Sequence, residues 1–167
     1  MNRLATLIES VSDWSARISA VILGLMTILI LLEILLWNTL EKTTLIADEY
    51  SAYGLATIIF LGAGFCLKER GHIRITLVLG FLPPRAARII TCIATAATTL
   101  FMGYLWWYLL KMVQATVRYH STSGTLTNTP LWIPQTMMLI GAAGFLLQLF
   151  GTTLRTFQAI GSKEDVV

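Results

Sequence analysis

Glu33 is the acidic residue best placed to take part in chemistry, because it stands well inside an apolar run, ILILLEILLW. A carboxylate at membrane depth costs free energy to insert and usually marks function. Three roles are open for it: a hydrogen bond to a neighbouring helix or subunit, proton transfer, or snorkelling to water. Snorkelling fits its place one helical turn before Trp37, near the end of the run.

A pair of acids, Asp48 and Glu49, opens the next apolar run. Acids in the first turn of a helix complement the positive end of the helix dipole and accept hydrogen bonds from unpaired backbone N–H groups. Cation binding is the alternative, but the surrounding sequence lacks the further oxygen ligands that Na⁺ or Ca²⁺ would need. A structural role is therefore the prediction for both acids.

A basic cluster follows the second apolar run. His72 stands between Arg70 and Arg74 without a second metal ligand at suitable spacing, so we expect a contact to lipid phosphate or to a partner. Cys66 and Cys92 form no CxxC motif and are interpreted as inert packing residues, with a disulfide between them as the alternative. The sequence contains no nucleophile–base set and no phosphate loop, so we expect neither catalysis nor a bound metal or cofactor.

The elements that position these residues are membrane helices. Of the 167 residues, 56% are hydrophobic and only 13% charged, whereas soluble domains carry about 25% charged residues. The net charge of +3 does not predict nucleic-acid binding, because cytoplasmic loops of membrane proteins collect Lys and Arg. We predict one all-α integral membrane domain over residues 1–167, with four spans at about 18–37, 50–67, 88–110 and 131–154.

Two further segments are predicted to lie at the membrane surface. Residues 2–17 carry apolar side chains at helical spacing. They form either an N-terminal amphipathic interfacial helix or the amphipathic end of the first span itself. Residues 75–82 are apolar but too short to cross, and Pro83 and Pro84 follow them, which indicates a short interfacial helix.

The basic residues predict the orientation of the chain. Four spans place both termini on one side, and nine basic residues fall on that side against three on the other. The nine are Arg3, Arg17, Lys68, Arg70, Arg74, Arg85, Arg88, Arg155 and Lys163, and the three are Lys42, Lys111 and Arg118. Because positive charge accumulates on the cytoplasmic side, the N and C termini are predicted to be cytoplasmic. Tryptophan and tyrosine residues cluster at the other ends of the spans, as an outer interfacial belt would.

The segment from Glu49 to Pro83 carries a family resemblance. An acid opens the second span, Gly62 and Gly64 lie near its end, and a basic turn leads into the HIR motif at 72–74. Together with the chain length, the four spans and a PLWIP motif before the fourth, this pattern resembles the small membrane subunit (DctQ-like) of tripartite ATP-independent periplasmic (TRAP) transporters. The family commonly has a hydrophobic residue and then Asp after this motif, whereas Thr stands at position 76 here.

The resemblance implies a scaffold and no catalysis. Such subunits work with a large membrane subunit, which holds the Na⁺ and substrate sites and moves substrate by an elevator motion, and with a periplasmic substrate-binding protein. The implied function is uptake of organic acids across the bacterial inner membrane, in contact with membrane lipids. Candidate contacts to subunits or lipids are Glu33, Glu49, Gly62, Gly64, Arg70, His72 and Arg74.

The alternative is a self-contained four-helix proton-coupled exporter with Glu33 as its proton site. Such a site is expected near mid-membrane and shared between two copies, whereas Glu33 lies close to the end of its span. A four-span thiol oxidase would need cysteine pairs on the outer side, which the sequence lacks.

Overall fold

A computed structural model describes residues 2–69 and 83–161 of the chain. Within these residues it has four long α-helices: α1 (Asn2–Leu40), α2 (Ala47–Lys68), α3 (Pro84–Arg118) and α4 (Trp132–Gly161). Each helix is long and apolar enough to cross a membrane. The predicted all-α fold with four membrane-spanning helices is confirmed.

The N-terminal segment is part of the first helix. α1 runs without interruption over 39 residues, which at about 1.5 Å per residue measure about 58 Å, far more than a bilayer core of about 30 Å. Residues 2–17 are continuous with the first span in the structure, and their place at the membrane surface stays a prediction. The other predicted interfacial helix, at 75–82, lies outside the described residues.

Charges and prolines explain where two of the helices begin and end. α2 has Asp48 and Glu49 in its first turn and Lys68 in its last, so each charge complements the adjacent end of the helix dipole. α3 begins at Pro84 after Pro83. Proline suits a helix start, because its φ is already helical and its missing N–H would have had no partner there.

The C-terminal end of α3 closes with a Schellman motif. The N–H of Ser121 donates to the carbonyl oxygen of Thr116 at 3.1 Å, and the N–H of His120 donates to that of Val117 at 3.4 Å. His120 has the left-handed backbone of this motif, with a φ of 49°, at the position where glycine is usual. The second histidine of the sequence thus has a backbone role in a turn.

α2 and α4 form the centre of the bundle. α2 packs on both α1 and α4, and α4 packs in addition on α3. Between α3 and α4 lies a small core, in which Met102 of α3 and Ala142 and Leu149 of α4 are buried. Beside this core the hydroxyls of Thr99 in α3 and Thr153 in α4 share a hydrogen bond of 2.9 Å.

Glycines set the closest approach between α2 and α4. A Cβ added at Gly141 would lie 2.6 Å from the carbonyl carbon of Phe60 and 2.7 Å from the amide nitrogen of Leu61, so the two helices touch backbone to backbone. At Gly64 three helices meet, because a Cβ there would contact Ser12 of α1 as well as the backbone of α4. Small residues permit this approach, which gives membrane helices much of their packing energy.

α1 contributes only a narrow stripe to the packing. Ser12 and Ser19 are buried in this stripe, and the side chain of Met26 fills the space next to Gly54 of α2. The hydroxyl of Ser19 donates to the carbonyl oxygen of Ser15 at 2.9 Å, so this buried polar group is satisfied within its own helix. The rest of the α1 surface exposes leucine and isoleucine side chains, which suit lipid or another membrane subunit.

Replacing Gly141 by alanine tests the contact between α2 and α4. We expect Gly141→Ala to lower the free energy of unfolding by about 1–3 kcal/mol, because the new methyl group would force two backbones apart. Gly144→Ala is the matched control: a Cβ at Gly144 meets nothing within 4 Å, and alanine favours the helix. Thermal unfolding of the purified chain in detergent measures both. Equal stability of the two variants would contradict the packing described here.

Candidate functional site

Glu33 turns toward the loop that follows its own helix. Its Oε1 accepts hydrogen bonds from the backbone N–H of Thr44 at 2.9 Å and from the hydroxyl of Thr43, and its Oε2 accepts one from the hydroxyl of Thr44. We call Glu33, Thr43 and Thr44 the Glu33 clasp. Of the roles open for Glu33, a hydrogen-bonding role is observed, and the partner is a loop of the same chain, not a neighbouring helix.

Glu49 holds the second loop at this end of the bundle, residues 119–131, in a similar way. Its Oε2 accepts hydrogen bonds from the hydroxyls of Thr125 and Thr127, the latter at 2.6 Å. Its Oε1 accepts one from the hydroxyl of Tyr53 at 2.9 Å. We call Glu49, Thr125 and Thr127 the Glu49 clasp. The helix-dipole interpretation of Glu49 is therefore incomplete, because the carboxylate also ties a distant loop to α2.

The loop held by the Glu49 clasp is braced from within. The N–H of Ser123 donates to the carbonyl oxygen of Thr129 at 3.0 Å, and the N–H of Thr129 donates to the hydroxyl oxygen of Ser123 at 3.1 Å. Gly124 and Asn128 have left-handed backbones, with φ of 66° and 46°. A non-glycine residue keeps such a conformation only where the surroundings hold it. The loop is thus a built element of the fold.

Among the described residues, two ion pairs fasten the opposite end of the bundle. The Nζ of Lys68 lies 2.5 Å from Oδ1 of Asp13, which joins α2 to α1. Nη2 of Arg155 lies 2.8 Å from Oε1 of Glu9, which joins α4 to α1. The first pair is half-buried and the second more exposed, and pairs with this much access to solvent stabilise a fold only modestly, but they fix the N-terminal part of α1 against both central helices.

The predicted site residues that the structure describes are not brought together into one site. Glu33 and Glu49 lie at the end of the bundle that carries the two clasps. Gly62 and Gly64 lie on α2 beside Ser19 and Ser12 of α1, where they serve packing within this chain. Arg70, His72 and Arg74 lie outside the described residues. A contact of any of them with another subunit or with lipid stays a prediction.

The described residues offer little chemistry beyond these contacts. Among them no group of three or more His, Cys, Asp or Glu side chains could hold a metal ion. Cys66 and Cys92 are thiols in the described structure and are half-buried on α2 and α3. A groove of about 330 Å³ opens between α1, α2 and α4, and it is lined mainly by apolar side chains without a charged one.

Sequence reasoning missed the threonines of both clasps and the acidic partners of both ion pairs. The threonines had a signal: they stand in an adjacent pair at 43 and 44, and at alternating positions 125, 127 and 129, in the two loops at the end of the bundle that holds Glu33 and Glu49. Residues 125–128 form a turn, in which the N–H of Asn128 donates to the carbonyl oxygen of Thr125 at 3.1 Å, and both Thr125 and Thr127 donate to Glu49. The acids Glu9 and Asp13 had no such signal, because a helical wheel alone does not show which helix lies opposite.

Four long apolar helices, with charges at their ends and apolar side chains on their outer surface, define a multi-pass membrane protein. The family profile described as "Tripartite ATP-independent periplasmic transporters, DctQ component" matches residues 7–159. The chain therefore belongs to the DctQ family and is the small permease component of a TRAP transporter. No curated protein and no solved structure matched the chain in the corresponding comparisons.

Removing the Glu49 carboxylate tests whether the clasp or the helix dipole accounts for its role. We expect Glu49→Ala to speed amide hydrogen exchange in residues 119–131 several-fold, because the loop loses hydrogen bonds from two threonines. Asp48→Ala is the matched control, since Asp48 is an exposed acid in the same helical turn. Equal exchange in the two variants would mean that the dipole alone matters. Hydrogen–deuterium exchange mass spectrometry makes the comparison.

Proposed function

We propose that this chain is the fixed scaffold of a Na⁺-coupled TRAP transporter for organic acids in a bacterial inner membrane. In this proposal it is a single membrane domain that anchors a large elevator-type membrane subunit, while a periplasmic substrate-binding protein delivers the substrate. The observation that carries the proposal is the family match together with the state of Glu33. This carboxylate accepts three hydrogen bonds from its own loop, which suits a structural part better than an ion carrier.

The surface of the bundle supports a role as an anchor in lipid. In the N-terminal half of α1, the guanidinium of Arg17 lies 5.4 Å from the ring centre of Trp14. Near the opposite end of α3, the ammonium of Lys111 lies 5.4 Å from the ring centre of Trp107 and 5.7 Å from that of Tyr108. Aromatic rings paired with cations are typical of the membrane–water interface, because the ring faces the apolar side while the cation faces water. We infer that these groups mark the two faces of the bilayer.

The positive-inside rule and these anchors lead us to propose that the clasps lie outside and the termini inside. A background with Cys66→Ala and Cys92→Ala allows single cysteines to report the side. We expect Asn128→Cys to react with a membrane-impermeant maleimide in intact cells, and Ser10→Cys to react only after the membrane is opened. Both positions are exposed in the structure, so access to solvent is matched. The reverse labelling pattern would overturn the orientation.

Assembly tests the scaffold role directly. We expect co-expression with the large membrane subunit to give a stable one-to-one complex, measured by size exclusion with light scattering. The chain alone in liposomes should conduct no protons, and Glu33→Gln should weaken assembly only modestly. Proton flux through the chain alone, abolished by Glu33→Gln, would instead support the exporter alternative and refute the scaffold role.

A further inference from the structure

α3 turns one side to the bundle and leaves the other side uncovered. Among the described residues, α3 has extensive contact with α4 alone. Met102 and Trp106 belong to the side that packs on α4. With about 3.6 residues per turn, Leu100 and Tyr104 lie on the opposite side, and they are 76% and 62% exposed.

Aromatic rings surround a lysine on this uncovered side. The ammonium of Lys111 lies 5.4 Å from the ring centre of Trp107 and 5.7 Å from that of Tyr108. The ring of Tyr104 stands 4.7 Å from the ring of Tyr108. We call Tyr104, Trp107, Tyr108 and Lys111 the α3 cluster. In the part of the chain that the structure describes, Lys111 forms no ion pair, so its N–H donors are available to an acceptor from outside.

The charge around the α3 cluster has one sign. The sequence of α3 contains no Asp or Glu, and its next charge after Lys111 is Arg118, which is exposed about 10 Å further along the helix. The acids at this end of the bundle stand on α1, on α2 and in the loop between them, away from the neighbour of α3: Glu33, Glu41, Asp48 and Glu49. The α3 cluster therefore complements an anion.

The residues below the α3 cluster indicate what carries that anion. Towards the middle of the helix the uncovered side is apolar, with Ile93 64% and Phe101 67% exposed. Tyrosine and tryptophan rings occupy the interfacial level of a bilayer, and Lys111 lies about one helical turn beyond Tyr108, at the level of the headgroups. Apolar surface, amphipathic rings and a cation thus follow one another in the order of the acyl chain, glycerol region and phosphate of a phospholipid.

We propose that the α3 cluster binds an acidic phospholipid of the phosphatidylglycerol type, with Lys111 contacting its phosphate and the apolar side of α3 contacting its acyl chain. A zwitterionic lipid fits less well, because its ammonium group would meet the positive charges of Lys111 and Arg118. A free phosphate would leave the adjoining apolar surface unused. This inference needs only a membrane protein and does not rest on the scaffold function.

Lipid binding to the purified full chain tests the proposal. Native mass spectrometry in detergent measures the Kd for phosphatidylglycerol and for phosphatidylethanolamine. We expect tighter binding of phosphatidylglycerol, and we expect Lys111→Gln to raise that Kd about fivefold while leaving the Kd for phosphatidylethanolamine unchanged. Lys111→Arg keeps the charge and should retain the wild-type preference.

Lys42→Gln is the charge-matched control for this measurement. Lys42 is an exposed lysine at the same end of the bundle, in the loop between α1 and α2. Its replacement should leave the Kd for phosphatidylglycerol unchanged. If Lys42→Gln and Lys111→Gln raised this Kd equally, the lipid would respond to net charge alone, and the α3 site would be refuted.

Fluorescence quenching locates the lipid on the helix. In phosphatidylethanolamine vesicles, we expect a small fraction of dibrominated phosphatidylglycerol to quench tryptophan fluorescence more than the same fraction of dibrominated phosphatidylethanolamine. Trp107→Phe should remove this excess quenching. Trp37→Phe, which changes another exposed tryptophan at this end of the bundle, should keep it. Excess quenching that survives Trp107→Phe would place the lipid elsewhere and contradict the proposal.

The rival occupant of the uncovered side of α3 is another membrane subunit. Both measurements are therefore repeated on the complex with the large subunit, where the preference for phosphatidylglycerol should persist. If assembly abolishes it, or if Lys111→Gln prevents assembly, the α3 cluster is a subunit contact and the lipid inference is wrong, while the scaffold function stands. If no complex forms but the chain alone shows the preference, the scaffold function fails and the lipid inference stands.

Discussion

The structure depends on one constraint, that a polar group within or near hydrocarbon must find its partner inside the chain. The described helices meet it in two ways. Threonine and serine hydroxyls inside the helices donate to carbonyl oxygens one turn earlier, as Thr57 does to Tyr53 at 2.8 Å. Glu33 and Glu49 instead stand close to helix ends and accept hydroxyl and N–H donors from the adjoining loops. Each of these hydrogen bonds satisfies a carboxylate and at the same time holds a loop in place.

The same constraint explains why the helices pack through small residues. Lipid is as apolar as leucine, so helices gain little by hiding large side chains from it and gain more from close van der Waals contact. Gly141 against the backbone of Phe60 provides that contact between the central helices. α1 and α3 flank this centre and keep most of their large side chains exposed. A bundle arranged in this way has a firm middle and a wide apolar perimeter, which suits a part that is surrounded by lipid and by another membrane subunit.

The sequence allowed the helices, their number and the family to be predicted, because these follow from the length of apolar runs and from motifs. The arrangement of the helices did not follow from it. Gly62, Gly64 and Gly141 were visible as small residues, but which helix each one meets depends on the three-dimensional path of the chain. The contacts of Glu33 and Glu49 were hidden for another reason. Hydrogen bonds from Thr125 and Thr127 to Glu49 join residues more than seventy positions apart, and no local pattern encodes such a pairing. The sequence also did not show that residues 2–17 continue the first helix without a break, because an amphipathic periodicity does not reveal whether a bend follows it.

The two ends of the bundle are fastened by different chemistry. At the end with the termini, Lys68 and Arg155 form ion pairs with Asp13 and Glu9 of α1, so these contacts join helix to helix. Ion pairs this exposed weaken as salt rises, and they leave the backbone around them regular. At the other end the contacts join a loop to a helix, because neutral N–H and hydroxyl groups of the loop donate to a carboxylate. The loops at this end contain residues with left-handed backbones. Left-handed backbones at Leu45 and Asn128 are unfavourable in themselves, and the hydrogen bonds to Glu33 and Glu49 offset that cost by holding the two loops in shape.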